Sequence, residues 1–153
     1  MIRPSYRQTL FACVCAMALA SMSCASAASS ESRTRVEKVV TRLADAVNSA
    51  DLDGLMSLFA PDATVFLPSA ATPSRLSGLA QIRAGVSPAL ERKPTNPLAI
   101  RDLLITVDGS MAIATFEIGN PIVHSRRTLV LERTAGEWKI LHLHGSNLRT
   151  ETK

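Results

Sequence analysis

The stretch RRTLVLERTAGEWKILHLHGSN, residues 126–147, constrains the fold more than any other part of the chain. It holds two long runs of alternating apolar and polar residues on either side of Ala135-Gly136, the pattern of an antiparallel hairpin whose strands each have two unlike faces. Successive side chains of a strand point to opposite sides, so Trp138, Ile140, His142, His144 and Ser146 fall on one face of the second strand. That face begins apolar and turns polar. Two adjacent histidines on the face that carries the only tryptophan predict a core grading into a ligand cavity.

The register of this hairpin decides what the histidines meet. A two-residue loop at Ala135-Gly136 needs positive φ at Ala135, which its Cβ disfavours. A three-residue loop with Gly136 in the left-handed position is the better fit. Arg133 then pairs with Glu137, Thr128 with His142, Arg126 with His144 and His124 with Ser146, which gathers the polar side chains on one face. The opposite face collects Leu129, Leu131, Leu141 and Leu143, an apolar stripe too continuous to leave in water and a candidate homodimer interface.

The N-terminus reads as a leader. Arg3 and Arg7 make a positive start, Leu10 to Ala20 an apolar segment, and Ala25-Ser26-Ala27 a small-residue cleavage pattern, so residues 1–27 form a signal peptide and the mature chain begins at Ala28. The apolar run is shorter than the roughly 20 residues of a membrane span and is interrupted by Ser and Cys, so export to the periplasm or medium is expected without a stable span. Lipidation at Cys24 is the competing reading, but Ser21 stands where a Leu-like residue is usual. All three cysteines, Cys13, Cys15 and Cys24, lie in the leader, so the mature chain has no disulfide, thiol nucleophile or cysteine-bound metal. Loss of Arg3 and Arg7 takes the basic count from 17 to 15 against 13 acids, so the net charge falls from +4 to about +2. The basic residues are scattered and not interleaved with aromatics, which argues against a nucleic-acid partner.

Residues 28–153 have the length of a single domain. Val36, Val39, Val40, Leu43 and Val47 recur at helical spacing and predict a helix over about Glu31 to Ser49. Asp51 caps a second helix with Leu52, Leu55, Met56 and Phe59 on one face, ended by Pro61. A strand at Thr64 to Leu67, the loop Pro68 to Ser74 and a third helix from about Leu79 follow, its buried positions being Leu79, Ile82, Val86 and Leu90, with Pro88 kinking or ending it. Leu98 to Val107 and Met111 to Ile118 are strands joined at Asp108-Gly109, and Gly119-Asn120-Pro121 turns the chain into Ile122 to Arg133. Three helices and a run of long strands make an α+β chain with helices covering one face of a strongly curved, mainly antiparallel sheet.

The order helix, DLDGLMSLFAPDA helix, strand, SGLAQIR helix and strands ending in WKILHLHGSN resembles the nuclear transport factor 2-like superfamily, and most closely its SnoaL-like branch. The conjunction of Asp51 to Ala63, Gly78 with Ile82, Arg126 with Thr128, and Trp138 through Ser146 carries the resemblance. It implies a cone-like fold, a cavity between helices and concave sheet, frequent dimers across the sheet, and the His142 face turned inward. It also spans isomerases, cyclases, dehydratases, binding proteins and oligomerisation domains, among which fold does not choose. Steroid-isomerase-like members use a tyrosine and a protonated carboxylic acid, but the only tyrosine here, Tyr6, is in the leader.

The leading expectation is an exported small-molecule-binding dimer. Its ligand is small, partly apolar and anionic, and is met by Arg126, Thr128, His124 and Ser146, with Phe59, Phe66, Phe116 and Trp138 as walls or anchors. The alternative is an isomerase, cyclase or dehydratase with His142 or His144 as acid/base, since histidine titrates near neutrality; Glu117 is a weaker carboxylate candidate. A third reading is an oligomerisation module built on the leucine face. A zinc site at His142, His144 and His124 is disfavoured, because no carboxylate completes the set and Arg126 stands beside it. No metal and no cofactor are expected.

Overall fold

The computed structural model describes residues 6–67, 75–121 and 124–147, with side-chain surroundings given from Ala28 onward. The expected loop Pro68 to Ser74 lies outside the described residues, as does Ile122. The chain divides into two compact units, residues 1–32 and 33–153, and the sheet and its packing belong to the second. Helix α1 spans Tyr6–Ser49, and so begins well before the expected Glu31. Its stripe of Val36, Val39, Val40 and Leu43 is buried as the periodicity predicts. Helix α2, Leu52–Met56, is capped by Asp51, whose carboxylate accepts the Gly54 N–H at 2.8 Å.

Phe59 is not part of that helix. It opens strand β1, Phe59–Phe66, and Pro61 lies inside the strand rather than ending a helix. A proline is tolerated there because pairing with the last strand is interrupted between Phe59 and Thr64, so the ladder asks nothing of its missing N–H. Asp62, expected to close a turn, is an exposed strand residue in the same interruption. Strand β2, Leu76–Ser77, was too short to leave a periodic signal. Helix α3, Gly78–Val86, passes into a 3-10 turn over Ser87–Leu90 at Pro88. Ile82 and Leu90 are buried, whereas Leu79, expected in the core, is 36% exposed.

Strands β3, Ala99–Asp108, β4, Met111–Gly119, β5, His124–Thr134, and β6, Glu137–Asn147, complete a six-stranded sheet ordered β2-β1-β6-β5-β4-β3. All neighbours are antiparallel except β1 and β6. The fold is therefore α+β with a curled, mainly antiparallel sheet, as the sequence predicts. The β3–β4 pair closes at Asp108 and Met111, so its two-residue turn is Gly109-Ser110, one position beyond the expected Asp108-Gly109.

The last hairpin departs from expectation twice. Thr134 pairs with Glu137, so the loop is the two-residue Ala135-Gly136, with φ of 52° and 85°. Positive φ at both positions matches the right-handed twist of the strands, and the register gained outweighs the Cβ penalty at Ala135. A bulge then falls between Ile140 and His142, opposite Val130 and Leu131, and leaves Leu141 as the extra residue. Beyond it Thr128 pairs with His144 and Arg126 with Ser146; Val130, not Thr128, meets His142.

An extra residue reverses the parity of a strand. Trp138 and Ile140 face inward before the bulge, and Leu143 and Gly145 face inward after it. The inner face is thus read across strands as Ile105, Ala114, Leu129, Leu143, Val65, and as Val107, Ala112, Leu131, Ile140, Phe59. Leu129 and Leu131 are fully buried and Leu143 is 7% exposed, all in one cluster with the α1 stripe, while Leu141 is half-buried against it. These leucines are core, and the expected dimer interface built from them does not exist as a surface. His142, His144 and Ser146 lie on the outer face, not the inner one. Full burial of each leucine contributes about 1.5–3 kcal/mol, so this arrangement prevails over any register that turns histidines inward.

The cost of the tight turn is local. Replacing Ala135 with Asn, which tolerates left-handed backbone and gives the Asn-Gly pair favoured in such turns, should stabilise the protein by about 1 kcal/mol. Chemical denaturation checks this; no gain would mean that Ala135 carries no strain.

Candidate functional site

The register fixes which candidate residues meet. On the outer face one row runs Arg101, Glu117, Arg126, Ser146, the next Leu104, Thr115, Thr128, His144, Phe66, and a third Thr106, Ile113, Val130, His142, Thr64. Arg126, Thr128, Phe116 and Glu117 line one shallow depression of about 230 Å³ together with Asp102 and Arg127. Arg126 reaches Glu117 at 3.5 Å and its side chain is 65% exposed, a pair of the screened surface kind worth about 0–1 kcal/mol. The structure thus keeps Arg126 and Thr128 close but does not turn them into the core.

The histidines form a second group. Thr64 Oγ1 and His142 Nδ1 are 2.7 Å apart. The Phe66 ring sits edge-on to His142, with centroids 6.0 Å apart, and is tilted against His144 at 5.9 Å. Phe66 is 37% exposed. His142 has its pKa lowered from the ordinary histidine value, mainly by partial burial, then by the charges of His144 and Arg75. A neutral imidazole bonded to a hydroxyl can accept a proton, which is the chemistry of a base. His124 stands apart at the start of β5, with Nε2 3.5 Å from Arg101 Nη1. Phe59, Phe116 and Trp138 are buried in the core at 5%, 3% and 5% exposure.

Where the inner face stops being aliphatic, it presents residues that the sequence reading passed over. The row after Leu129 is Phe116, Arg127, Gly145, and the next is Ile118, Ser125, Asn147. Arg127 is half-buried, and burial lowers its pKa, although a guanidinium stays charged. Its recorded hydrogen bond goes from Nη1 to the Arg126 carbonyl at 3.0 Å, and no carboxylate pairs with it among the described residues. Gly145 opposite it brings no side chain. Ser125 is 1% exposed and donates to Asn147 Oδ1 at 2.6 Å. The signal for Arg127 was present: it shares the parity of Leu129 and Leu131, so taking the leucine face as the inner one would have selected Arg127 in place of Arg126.

Among the described residues no group of three or more His, Cys, Asp or Glu side chains is arranged to hold a metal ion. No described helix is long and apolar enough to cross a membrane.

The model of the SnoaL-like domain matches residues 36–150, from the buried stripe of α1 to just past the last strand. The chain belongs to the SnoaL-like domain family. Solved structures show the same nuclear transport factor 2-like fold. An NTF2-like protein of unknown function from Pseudomonas putida KT2440 is 20% identical with a TM-score of 0.68, over 80% of this chain and 91% of that one. A proposed dehydratase of the NTF2-like family from Streptomyces avermitilis is 18% identical with a TM-score of 0.68, over 79% and 99%. A proposed ketosteroid isomerase from Parabacteroides distasonis ATCC 8503 is 19% identical with a TM-score of 0.63, over 74% and 88%. No curated protein matches this SnoaL-like domain in sequence.

The His142 environment predicts an acid-sensitive fold. Because the folded state disfavours the imidazolium, the unfolded chain binds that proton more tightly. Stability is then full above the unfolded value of about 6.5 and declines as pH falls through the lower folded value. His142→Gln, which keeps a polar group beside Thr64, should flatten the loss of stability on acidification below about pH 6.5. An unchanged slope in urea titrations across that range would assign the effect to other groups.

Proposed function

We propose that this SnoaL-like domain is an exported binding protein that takes a small, partly apolar acid against the inner face of its sheet, with Arg127 meeting the negative end. The observation that carries this reading is Arg127 itself, a half-buried cation on the inner face with no carboxylate partner among the described residues, opposite the bare Gly145. A guanidinium so placed has lost hydration that an acidic ligand restores through paired hydrogen bonds. Phe116, which lines the same depression as Arg127, supplies apolar surface beside it. Arg126, the cation first expected to do this, is held at the outer face near Glu117.

Export rests on the leader pattern of residues 1–27. Self-association is assigned to the outer sheet face, where β3 and β4 expose Leu104 by 63%, Ile113 by 49% and Met111 by 40%, an apolar patch that a second copy of the same sheet would cover. The second reading is an enzyme of the isomerase or dehydratase type with His142 as base, favoured by its bond to Thr64 and its lowered pKa. Turnover of a candidate substrate that survived His142→Gln would remove that histidine from the mechanism.

Native mass spectrometry of the protein purified gently after export in a bacterial host tests the first reading in one spectrum. The expected species is a dimer of chains beginning at Ala28, carrying a noncovalent adduct that is lost in Arg127→Gln and kept in Arg126→Gln. An adduct that persists in Arg127→Gln sinks the assignment of the inner face. In the same assay Ile113→Glu should convert the dimer to monomer, because it buries a charge at a dry interface; a dimer that tolerates it pairs through another surface.

A further inference from the structure

We infer that the groove between α1 and the β5–β6 turn is a second binding site, for a compact phosphorylated anion. Its volume is about 240 Å³, and its walls include Arg35, Lys38 and Arg42 from the helix and Lys139 from the strand, over Trp138. The three helix cations are spaced at i, i+3 and i+7, which sets them on one stripe facing Lys139. A solvated helix face explains cations that point away from the protein. It does not explain cations on both walls of one concavity, with Glu137 as the only acid lining it.

That acid is already engaged. Glu137 bonds Lys139 at 2.8 Å, and its carboxyl pKa is lowered first by that hydrogen bond, then by the Lys139 charge, with a smaller part from Arg42. Lys139 also donates to the Ser57 carbonyl at 3.0 Å, and Arg42 to Ser57 Oγ at 3.5 Å. Arg35 reaches the Gly136 carbonyl at 3.4 Å. Lys38 has no polar partner among the described residues. Lys38 and Arg42 therefore add positive charge that the one acid of the groove, already bonded to Lys139, does not balance. Beneath it, Trp138 is 5% exposed and its Nε1 is buried without an acceptor, although the residue lines the groove. A tetrahedral dianion supplies the charge that these cations lack, over a groove floor to which Trp138 contributes. The volume falls below the ~300–1,000 Å³ of clefts that enclose drug-sized ligands, which selects a phosphate group on a small carrier over a nucleotide.

Trp138 is the only tryptophan, so its fluorescence reports the groove directly. Titration of the full chain with inorganic phosphate should give a saturable change that sodium chloride at matched ionic strength does not reproduce. The double variant Lys38→Gln/Arg42→Gln, altered at exposed positions that the fold tolerates, should raise the half-saturating phosphate concentration about tenfold or more. The charge-matched control Arg92→Gln/Lys93→Gln should leave it unchanged. Vesicles of phosphatidylglycerol should neither change the fluorescence nor displace phosphate. A response that is absent, that chloride reproduces or that both double variants share equally overturns the site. Displacement of phosphate by the vesicles would make the groove a membrane-surface contact and overturn the small-molecule assignment.

Discussion

The single extra residue at Leu141 is the constraint on which the two faces of the sheet depend. The run Trp138 to Gly145 offers two regular readings. One turns Trp138, Ile140 and both histidines inward; the other turns Lys139, Leu141, Leu143 and Gly145 inward. Either puts at least one charged or polar side chain into the core without a partner, at a cost of about 1–3 kcal/mol each on mutational scales. The bulge takes the apolar half of each reading, so Trp138, Ile140, Leu143 and Gly145 face the helices and Lys139, His142, His144 and Ser146 face out. The neighbouring strands agree with it. Leu129 and Leu131 need no bulge of their own to face inward, and Val65 of β1 pairs with Leu143 only because β1 has its own interruption before Thr64. Compatible breaks in β6 and β1 make the inner surface continuous.

What the sequence displayed and what it concealed follow from the same residues. The α1 stripe, the Asp51 cap, the end of α3 at Pro88 and the four long strands are local patterns, written in spacing and turn chemistry. They were legible, and so was the resemblance to the SnoaL-like branch. The faces of the last hairpin were not, because parity propagates from two events that leave little mark. Ala135 adopts a left-handed conformation that its Cβ argues against, and the tertiary gain of a tight turn overrides that preference. The bulge has no glycine to announce it. Each event shifts pairing by one position, and together they exchange the cores and surfaces expected for Leu129, Leu131, Leu143, His142 and His144. The continuity of the leucine stripe was the better guide, since an apolar row of that length is first a core and only then an interface.

The exchange moves the chemistry as well as the packing. Arg126 and Arg127 are sequence neighbours of opposite parity that line one depression: Arg126 meets Glu117, and Arg127 pairs across the strands with Phe116 and Gly145. The histidines, meanwhile, share their face with Thr64, Thr128 and Phe66. Arg127 and His142 have opposite parity on one sheet, so the proposed anion contact and the alternative base belong to opposite faces. A mechanism that needs both groups on one substrate is not supported by this arrangement, whereas binding needs Arg127 alone.

The turn that fixes the register also builds the groove beside α1. Because Ala135-Gly136 closes in two residues, Glu137 and Lys139 fall on the outer parity and Trp138 alone turns inward between them, its indole lying under Arg133 at 5.7 Å. A longer loop would have slid Trp138 out from beneath the helix and moved Lys139 away from Ser57. Cations on the helix stripe and on the strand can converge only in the observed register. The left-handed alanine thus sets the parity that encloses the leucines and, through the same few residues, the position of the positive groove at the other edge of the core.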